Sequence, residues 1–162
     1  MRRRRTGGFT LTELLLVVTL VSVCCALAVP SMSAMMAGYR VRGAAMRLTA
    51  DLFYARMLAV KSGRPVSVRI VPDGRCTPGP GADVAGTSYV LTLRTVPARV
   101  VRTSATAPEG VGACLESNRS DSIAYDSRGL LRPPGNRTIW IRSGPLRDSL
   151  SISVVGRVLR RF

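Results

Sequence analysis

The sequence between residues 2 and 29 reads RRRRTGGFTLTELLLVVTLVSVCCALAV. Four consecutive arginines, Arg2 to Arg5, precede an almost wholly apolar run from Phe9 to Val29. A helix of that length, with a rise of about 1.5 Å per residue, spans about 30 Å, the thickness of a bilayer core. Because a cluster of arginines stays on the cytoplasmic side, the pattern predicts one transmembrane helix over residues 9–29. The remainder of the chain is then expected in the periplasm of a bacterium, anchored to the inner membrane.

A cleavable secretory signal is the alternative interpretation of the same stretch, with the cut after Ala28 and release of a soluble protein. Two features argue against it. Glu13 lies near the start of the apolar run, where a carboxylate costs about 2–3 kcal/mol if taken to mid-membrane and serves no purpose in a signal peptide. The pair Gly7 and Gly8 stands directly before Phe9, which favours cleavage ahead of the helix.

The composition excludes several classes of protein. The chain has 162 residues and a net charge of +15, from 24 basic and 9 acidic residues, and every basic residue except Lys61 is arginine. It contains no histidine, which excludes a Ser-His-Asp triad and every histidine-containing metal site. The four cysteines have no CxxC spacing, so a zinc ribbon is not expected either. We expect no enzyme activity, no metal site and no cofactor.

A long helix is predicted to continue beyond Pro30, where a kink is expected. Its apolar residues recur at a spacing of 4-3-4-3-4, which places them on one face of a helix. These residues are Val41, Ala45, Leu48, Leu52, Ala55 and Ala59. The sequence Ser62-Gly63-Arg64-Pro65 ends the pattern. The periplasmic part of the helix is therefore predicted over residues 30–62, with one face that a sheet must cover.

The rest of the chain, residues 63–162, is predicted to form an antiparallel β-sheet head. Alternation of apolar and polar residues, or a short run of branched ones, indicates strands. The predicted strands are 66–70, 89–93, 99–103, 122–125, 137–142 and 149–155. Residues 72–86 and 104–121 are predicted as loops. A long helix followed only by strands indicates an α+β fold.

Residues 8–14, Gly-Phe-Thr-Leu-Thr-Glu-Leu, resemble the prepilin motif of type IV pilins and type II secretion pseudopilins. The resemblance implies that residues 1–8 are a leader, and that prepilin peptidase cuts between Gly8 and Phe9 and N-methylates Phe9. It also implies that Glu13 pairs with the N-terminal amine of a neighbouring subunit. Cleavage would create that amine at Phe9, one helical turn from Glu13.

The helix-then-sheet layout resembles the GspH/FimT family of minor pseudopilins, as does the run Leu52 to Val60 leading into a valine-rich strand. The resemblance implies a type IV pilin-like fold and a structural subunit of a type II secretion pseudopilus or type IV pilus. Such a subunit acts in filament initiation and tip assembly for protein secretion. Its partners would be other pilin or pseudopilin subunits in a helical filament.

A DNA-binding minor pilin for natural transformation is the alternative. Gly156 and Arg157 match the first half of the Gly-Arg-x-Arg motif that contributes to DNA binding in DNA-uptake members of this family. Leu159 occupies the position of the second arginine, and Arg160 comes one residue late. Arg157, Arg160 and Arg161 are candidate contacts to DNA or another polyanion. The opposing interpretation is a basic tail that only aids solubility.

Cys76 and Cys114 both fall in predicted loops of a domain expected in an oxidising compartment. A disulfide between them would tie the two loops together and stabilise the fold by about 3–4 kcal/mol. Cys24 and Cys25 lie within the predicted membrane span and are interpreted as packing residues.

Overall fold

The computed structural model describes residues 10–105 and 113–161, so the predicted leader, Phe9 and Phe162 lie outside the described residues. A helix, α1, extends from Leu11 to Ser62 and ends where the sequence predicts. The structure assigns helix through Pro30, and the kink expected there stays a prediction. The chain divides into two compact units, one up to Met36 and the other from Ala37 onward.

Within the described ranges, no helix has the length and apolar character that a membrane span requires. The predicted span over residues 9–29 starts outside those ranges and stays a prediction.

Within residues 63–105 and 113–161, ten strands follow the helix. They are β1 (Val66–Val71), β2 (Val84–Gly86), β3 (Ser88–Leu93), β4 (Arg99–Ala105), β5 (Cys114–Ser117), β6 (Ser122–Tyr125), β7 (Leu131–Arg132), β8 (Arg137–Ser143), β9 (Leu146–Ile152) and β10 (Val158–Arg161). They form two five-stranded sheets whose pairs are all antiparallel. The first sheet has the order β4-β3-β1-β6-β7, and the second has the order β10-β9-β8-β5-β2.

Parts of the predicted strand pattern are wrong, and the short strand β7 was not predicted. Strand β2 lies inside the predicted loop 72–86, and β5 lies inside the predicted loop 104–121. The last predicted strand, 149–155, is in fact the end of β9 and the turn after it, and a further strand, β10, follows. Both short strands complete the second sheet by pairing with each other, and β5 also pairs with β8.

The predicted apolar stripe of α1 is buried, and the α+β layout is confirmed. Leu48 and Leu52 are almost fully buried, together with Ala45, Ala55 and Ala59. Strand residues of both sheets belong to the same hydrophobic cluster, among them Val66, Tyr89, Leu115, Tyr125, Ile139 and Leu150. Apolar burial of this kind contributes about 25 cal/mol per Å² and is the main term that holds the helix to the sheets.

The two sheets lie close together where β2 passes the end of β1. A Cβ atom added to Gly86 would lie 2.0 Å from the carbonyl oxygen of Val71, closer than any side chain allows. Only glycine fits at this crossing, because a side chain on residue 86 would collide with the backbone of β1.

Candidate functional site

The first turn of α1 carries Glu13, the residue singled out for assembly. The backbone N–H of Glu13 donates to the carbonyl oxygen of Thr10 at 3.1 Å and lies 3.3 Å from the Thr10 hydroxyl oxygen. Thr10 is therefore the N-cap of the helix, and the Thr-x-x-Glu spacing is that of a capping box. The cap is not among the sequence-based predictions, although the spacing of Thr10 and Glu13 signals it.

The carboxylate of Glu13 is exposed, and within residues 10–105 and 113–161 its side chain makes no hydrogen bond or ion pair. Gly8 and Phe9 lie outside the described residues. Cleavage between them, methylation of Phe9 and the pairing of Glu13 with an amine therefore stay predictions.

The structure places Arg157 and Arg160, two of the three arginines proposed as polyanion contacts, in different surroundings. Arg157 is exposed in the turn between β9 and β10, where its N–H donates to the Ser153 hydroxyl at 3.2 Å. Arg160 lies within β10, and its Nη2 is 2.6 Å from a carboxylate oxygen of Asp148 on β9. The side chain of Arg161 lies outside the described part of the chain. Arg160 therefore lies in a paired strand and an ion pair and not in a free basic tail, whereas the polyanion contact of these arginines stays a prediction.

Most carboxylates of the head are already paired with arginine. The pairs are Arg69–Asp121, Arg102–Asp51, Arg132–Asp126, Arg142–Glu116, Arg147–Glu116 and Arg160–Asp148. Because the chain has far more arginines than carboxylates, its excess positive charge falls on the arginines outside these pairs.

Glu116 on β5 is fully buried and is the most enclosed of these carboxylates. It accepts hydrogen bonds from Arg142 Nε at 2.7 Å and from Arg147 Nη2 at 3.4 Å. Arg142 also donates to the carbonyl oxygen of Thr77 at 2.9 Å, and Arg147 lies over the ring of Trp140 at 4.4 Å. The cluster fastens the segment after β1 to the second sheet, which is a structural role.

A disulfide also attaches the segment after β1 to the second sheet. Cys76 and Cys114 are joined by a disulfide with a Cα–Cα distance of 5.8 Å, across a sequence separation of 38 residues. Cys114 is the first residue of β5, so the bond ties a loop to a strand. Within the described ranges, no group of three or more histidine, cysteine, aspartate or glutamate side chains is placed to hold a metal ion.

A second apolar stripe runs along the exposed side of α1. Its members are Tyr39, Met46, Ala50, Phe53, Met57 and Val60, all of them solvent-exposed. From Met46 onward they recur at a spacing of 4-3-4-3, the pattern of a helix that packs against another helix. We call this stripe the exposed seam. The exposed seam is not among the sequence-based predictions, although it repeats the spacing of the buried stripe five residues further along the chain.

The exposed seam borders two shallow surface cavities. One, of about 430 Å³, is lined by Phe53, Arg56, Met57, Val60 and Lys61. The other, of about 410 Å³, is lined by Met46, Thr49, Ala50, Phe53, Val158 and Arg160. Both are mostly apolar with basic side chains at the rim, which suits contact with another protein better than contact with a small polar ligand.

Comparison with known proteins gives two family matches. Residues 44–156 match the family described as type II transport protein GspH. Residues 3–29 match the prokaryotic N-terminal methylation motif. A similar protein, the type II secretion system protein H of Xanthomonas campestris pv. campestris, is 30% identical over 152 residues, which are 90% of this chain and 87% of that protein.

The fold is similar to that of the type IV minor pilin FimU of Pseudomonas aeruginosa, known in two crystal forms. The TM-scores are 0.59 and 0.55, each at 22% sequence identity. The match covers 75% of this chain in both cases, and 88% and 92% of the two FimU chains. The type IV pilin-like fold expected from the sequence is thereby confirmed.

Proposed function

The chain belongs to the GspH family of type II transport proteins, minor subunits of the type II secretion pseudopilus or type IV pilus, and we propose that it acts in filament initiation at the tip for protein secretion. The family is one of structural subunits, and the work of the chain is accordingly to assemble with other subunits rather than to transform a substrate. The exposed seam carries this proposal.

The exposed seam supports assembly because it leaves large apolar side chains in water. Met46, Phe53 and Met57 are 64%, 50% and 61% exposed on a helix whose opposite side is fully packed. Covering each such side chain is worth about 1.5–3 kcal/mol. The spacing of the seam suits the helix of a neighbouring subunit, packed side by side with α1 as in a helical filament.

Anchoring and processing form the second part of the proposal. Prepilin peptidase cuts between Gly8 and Phe9, and residues 9–29 then hold the subunit in the inner membrane with the head in the periplasm. The match of residues 3–29 to the methylation motif supports this step. Glu13 pairs with the N-terminal amine of a neighbour, which compensates two charges that are each costly in lipid.

The exposed seam is tested by placing a charge in it. In cells that carry the chain's own assembly system, we expect Phe53→Asp to reduce incorporation into sheared filaments at least tenfold, because a carboxylate would be buried against apolar surface. Val100→Asp is the matched control, since Val100 is 58% exposed on β4, outside the exposed seam. Equal incorporation of the two variants would contradict the role of the seam.

Glu13→Ala tests the pairing. We expect this variant to stay in the membrane fraction, be cleaved normally and be absent from sheared filaments. Normal incorporation of Glu13→Ala would overturn the pairing, whereas loss of cleavage would point to the peptidase step instead.

DNA capture for uptake is the second candidate function, and the exposure of Arg157 beside the excess positive charge favours it. The test is duplex-DNA binding by the full-length chain in detergent at about 50 and 200 mM salt. A protein with several phosphate contacts loses orders of magnitude in affinity over that range. An Arg157, Arg160 and Arg161 triple-alanine variant should then lose binding. Weak binding that the variant leaves unchanged would contradict DNA capture.

A further inference from the structure

Arg56 lies on the flank of α1, between the buried stripe and the exposed seam, and it is half-buried. Its Nε would lie 3.0 Å from a Cβ on Gly129 and 3.2 Å from a Cβ on Gly156. Both glycines have a positive φ, of 77° and 74°. Two tight turns, after β6 and after β9, thus leave room for the guanidinium only because neither glycine carries a side chain.

The two turns are held together at this place. The N–H of Leu131 donates to the carbonyl oxygen of Val154 at 3.0 Å, and a Cβ on Gly156 would lie 2.6 Å from the carbonyl oxygen of Gly129. The backbone around Arg56 is therefore fixed, and the two turns define the position of the guanidinium.

Nothing in the described part of the chain compensates the charge of Arg56. Within residues 10–105 and 113–161 its side chain makes no hydrogen bond or ion pair. The two turns contain one carboxylate, Asp126. It already accepts hydrogen bonds from the backbone N–H groups of Arg128 and Leu130 and forms an ion pair with Arg132. Half-burial of a cation without a partner is costly, and an added anion would remove that cost.

The surroundings of Arg56 are positively charged and apolar at once. Arg128 and Arg157, adjacent in sequence to the two glycines, are exposed. On its other side, Arg56 shares a surface cavity with Phe53, Met57 and Val60 of the exposed seam. A partner must therefore bring apolar side chains together with a negative charge, which a protein helix does and a nucleic-acid backbone does not.

We propose that Arg56, with Arg128 and Arg157 beside it, receives a side-chain carboxylate from the neighbouring subunit whose helix packs on the exposed seam. The planar guanidinium donates two parallel N–H bonds to a carboxylate, which fixes register as well as adding affinity. The inference rests on the proposed function, since it needs a helix on the seam. It adds the interaction that determines which subunit packs on the exposed seam and in which register its helix lies.

The test compares Arg56→Gln, Arg56→Lys and the control Arg99→Gln in the full-length chain. Arg99 is exposed on β4 and loses the same charge. We expect incorporation into sheared filaments to fall at least tenfold for Arg56→Gln, less for Arg56→Lys, and not at all for Arg99→Gln. The thermal midpoint of purified Arg56→Gln should equal or exceed that of the wild type, because the variant removes an uncompensated charge. A lower midpoint would show that Arg56 stabilises the head itself and overturn the inference.

A charge-reversal selection identifies the partner. Starting from Arg56→Glu, suppressors that restore incorporation should replace an aspartate or glutamate of another subunit by lysine or arginine. Suppressors confined to this chain would overturn the inference. If Phe53→Asp is excluded from filaments while Arg56→Gln enters normally, this inference alone fails, whereas normal entry of Phe53→Asp contradicts the proposed role of the seam. Normal entry of Arg56→Gln with loss of duplex-DNA binding would identify a phosphate ligand and overturn the carboxylate.

Discussion

The hydroxyl of Tyr89 on β3 donates a 2.6 Å hydrogen bond to the carboxylate of Asp51 on α1, and both residues are buried. The second oxygen of Asp51 accepts from Arg102 Nη1 at 2.7 Å. Burial, together with this hydrogen bond, raises the pKa of Tyr89. One carboxylate thus links the helix to two neighbouring strands of the first sheet.

Asp51→Ala should destabilise the head by about 3 kcal/mol, because it leaves the buried Tyr89 hydroxyl without its acceptor and Arg102 without its anion. Asp121→Ala is the control. Its ion pair with Arg69 is solvent-exposed, with 64% of the arginine side chain accessible, and should be worth less than about 1 kcal/mol. Urea unfolding of the two variants measures the difference, and equal losses would contradict a buried, specific role for Asp51.

Tyr125→Phe should leave stability unchanged or raise it by up to about 1 kcal/mol. The Tyr125 hydroxyl is buried and has no hydrogen-bond partner within the described residues, and burial raises its pKa to about 12. Tyr89→Phe is the matched control and should cost about 1–2 kcal/mol, since its hydroxyl is bonded. Thermal unfolding distinguishes them. A loss at Tyr125 as large as that at Tyr89 would reveal a hydrogen bond to a group outside the described residues.

Acid should weaken the turn after β6. The N–H groups of Leu130 and Arg128, together with Arg132, hold the pKa of Asp126 below its ordinary value. A depressed carboxyl pKa stabilises the folded state above the unfolded value of about 3.9, and that contribution is lost as pH falls through the folded value. The urea midpoint of Asp126→Asn should therefore change less between pH 7 and pH 3 than that of the wild type.

The control for this measurement is Asp83→Asn. The side chain of Asp83 makes no hydrogen bond or ion pair among the described residues. This variant should keep the acid sensitivity of the wild type. The same flattening in both variants would show that net charge, rather than the turn, sets the pH dependence.

Loss of the disulfide should cost about 3–4 kcal/mol by the chain-entropy argument, given the separation of 38 residues between Cys76 and Cys114. The double variant Cys76→Ala with Cys114→Ala, and the wild type under reducing conditions, should have the same lowered urea midpoint. Cys24→Ala is the control and should not change it. A reduced wild type as stable as the oxidised one would contradict the prediction.

Local signals predicted the helix and its end. The stripe from Val41 to Ala59 fixes which face is buried, and Ser62 to Pro65 stops the helix whatever the rest of the chain does. Strands β2 and β5 could not be predicted because, unlike the equally short β6, their buried residues do not alternate with more exposed ones. β5 is held by its pairing with β8 and by the disulfide at Cys114, and β2 is held by its pairing with β5.

The candidate site also combines features that the local sequence predicts with features that only the folded chain produces. Glu13 and the motif around it are read from consecutive residues. The ion pair of Arg160 with Asp148 depends on the register of β10 on β9, and the placement of Arg56 depends on two turns that are distant in sequence. Such contacts come from the folded chain as a whole and leave no local pattern.

The buried stripe and the exposed seam lie on one helix, offset by five residues and therefore by about 140°. A change that rotates the buried stripe about the helix axis therefore rotates the exposed seam as well. Insertion of a single residue near Thr49 would turn everything beyond it by about 100°, so that the head and its neighbour would both lose their contacts. Insertion of seven residues restores nearly the same angle while lengthening the helix by about 10 Å. Because that lengthening also moves one half of the buried stripe along the sheets it packs on, no insertion between Val41 and Ala59 should be tolerated.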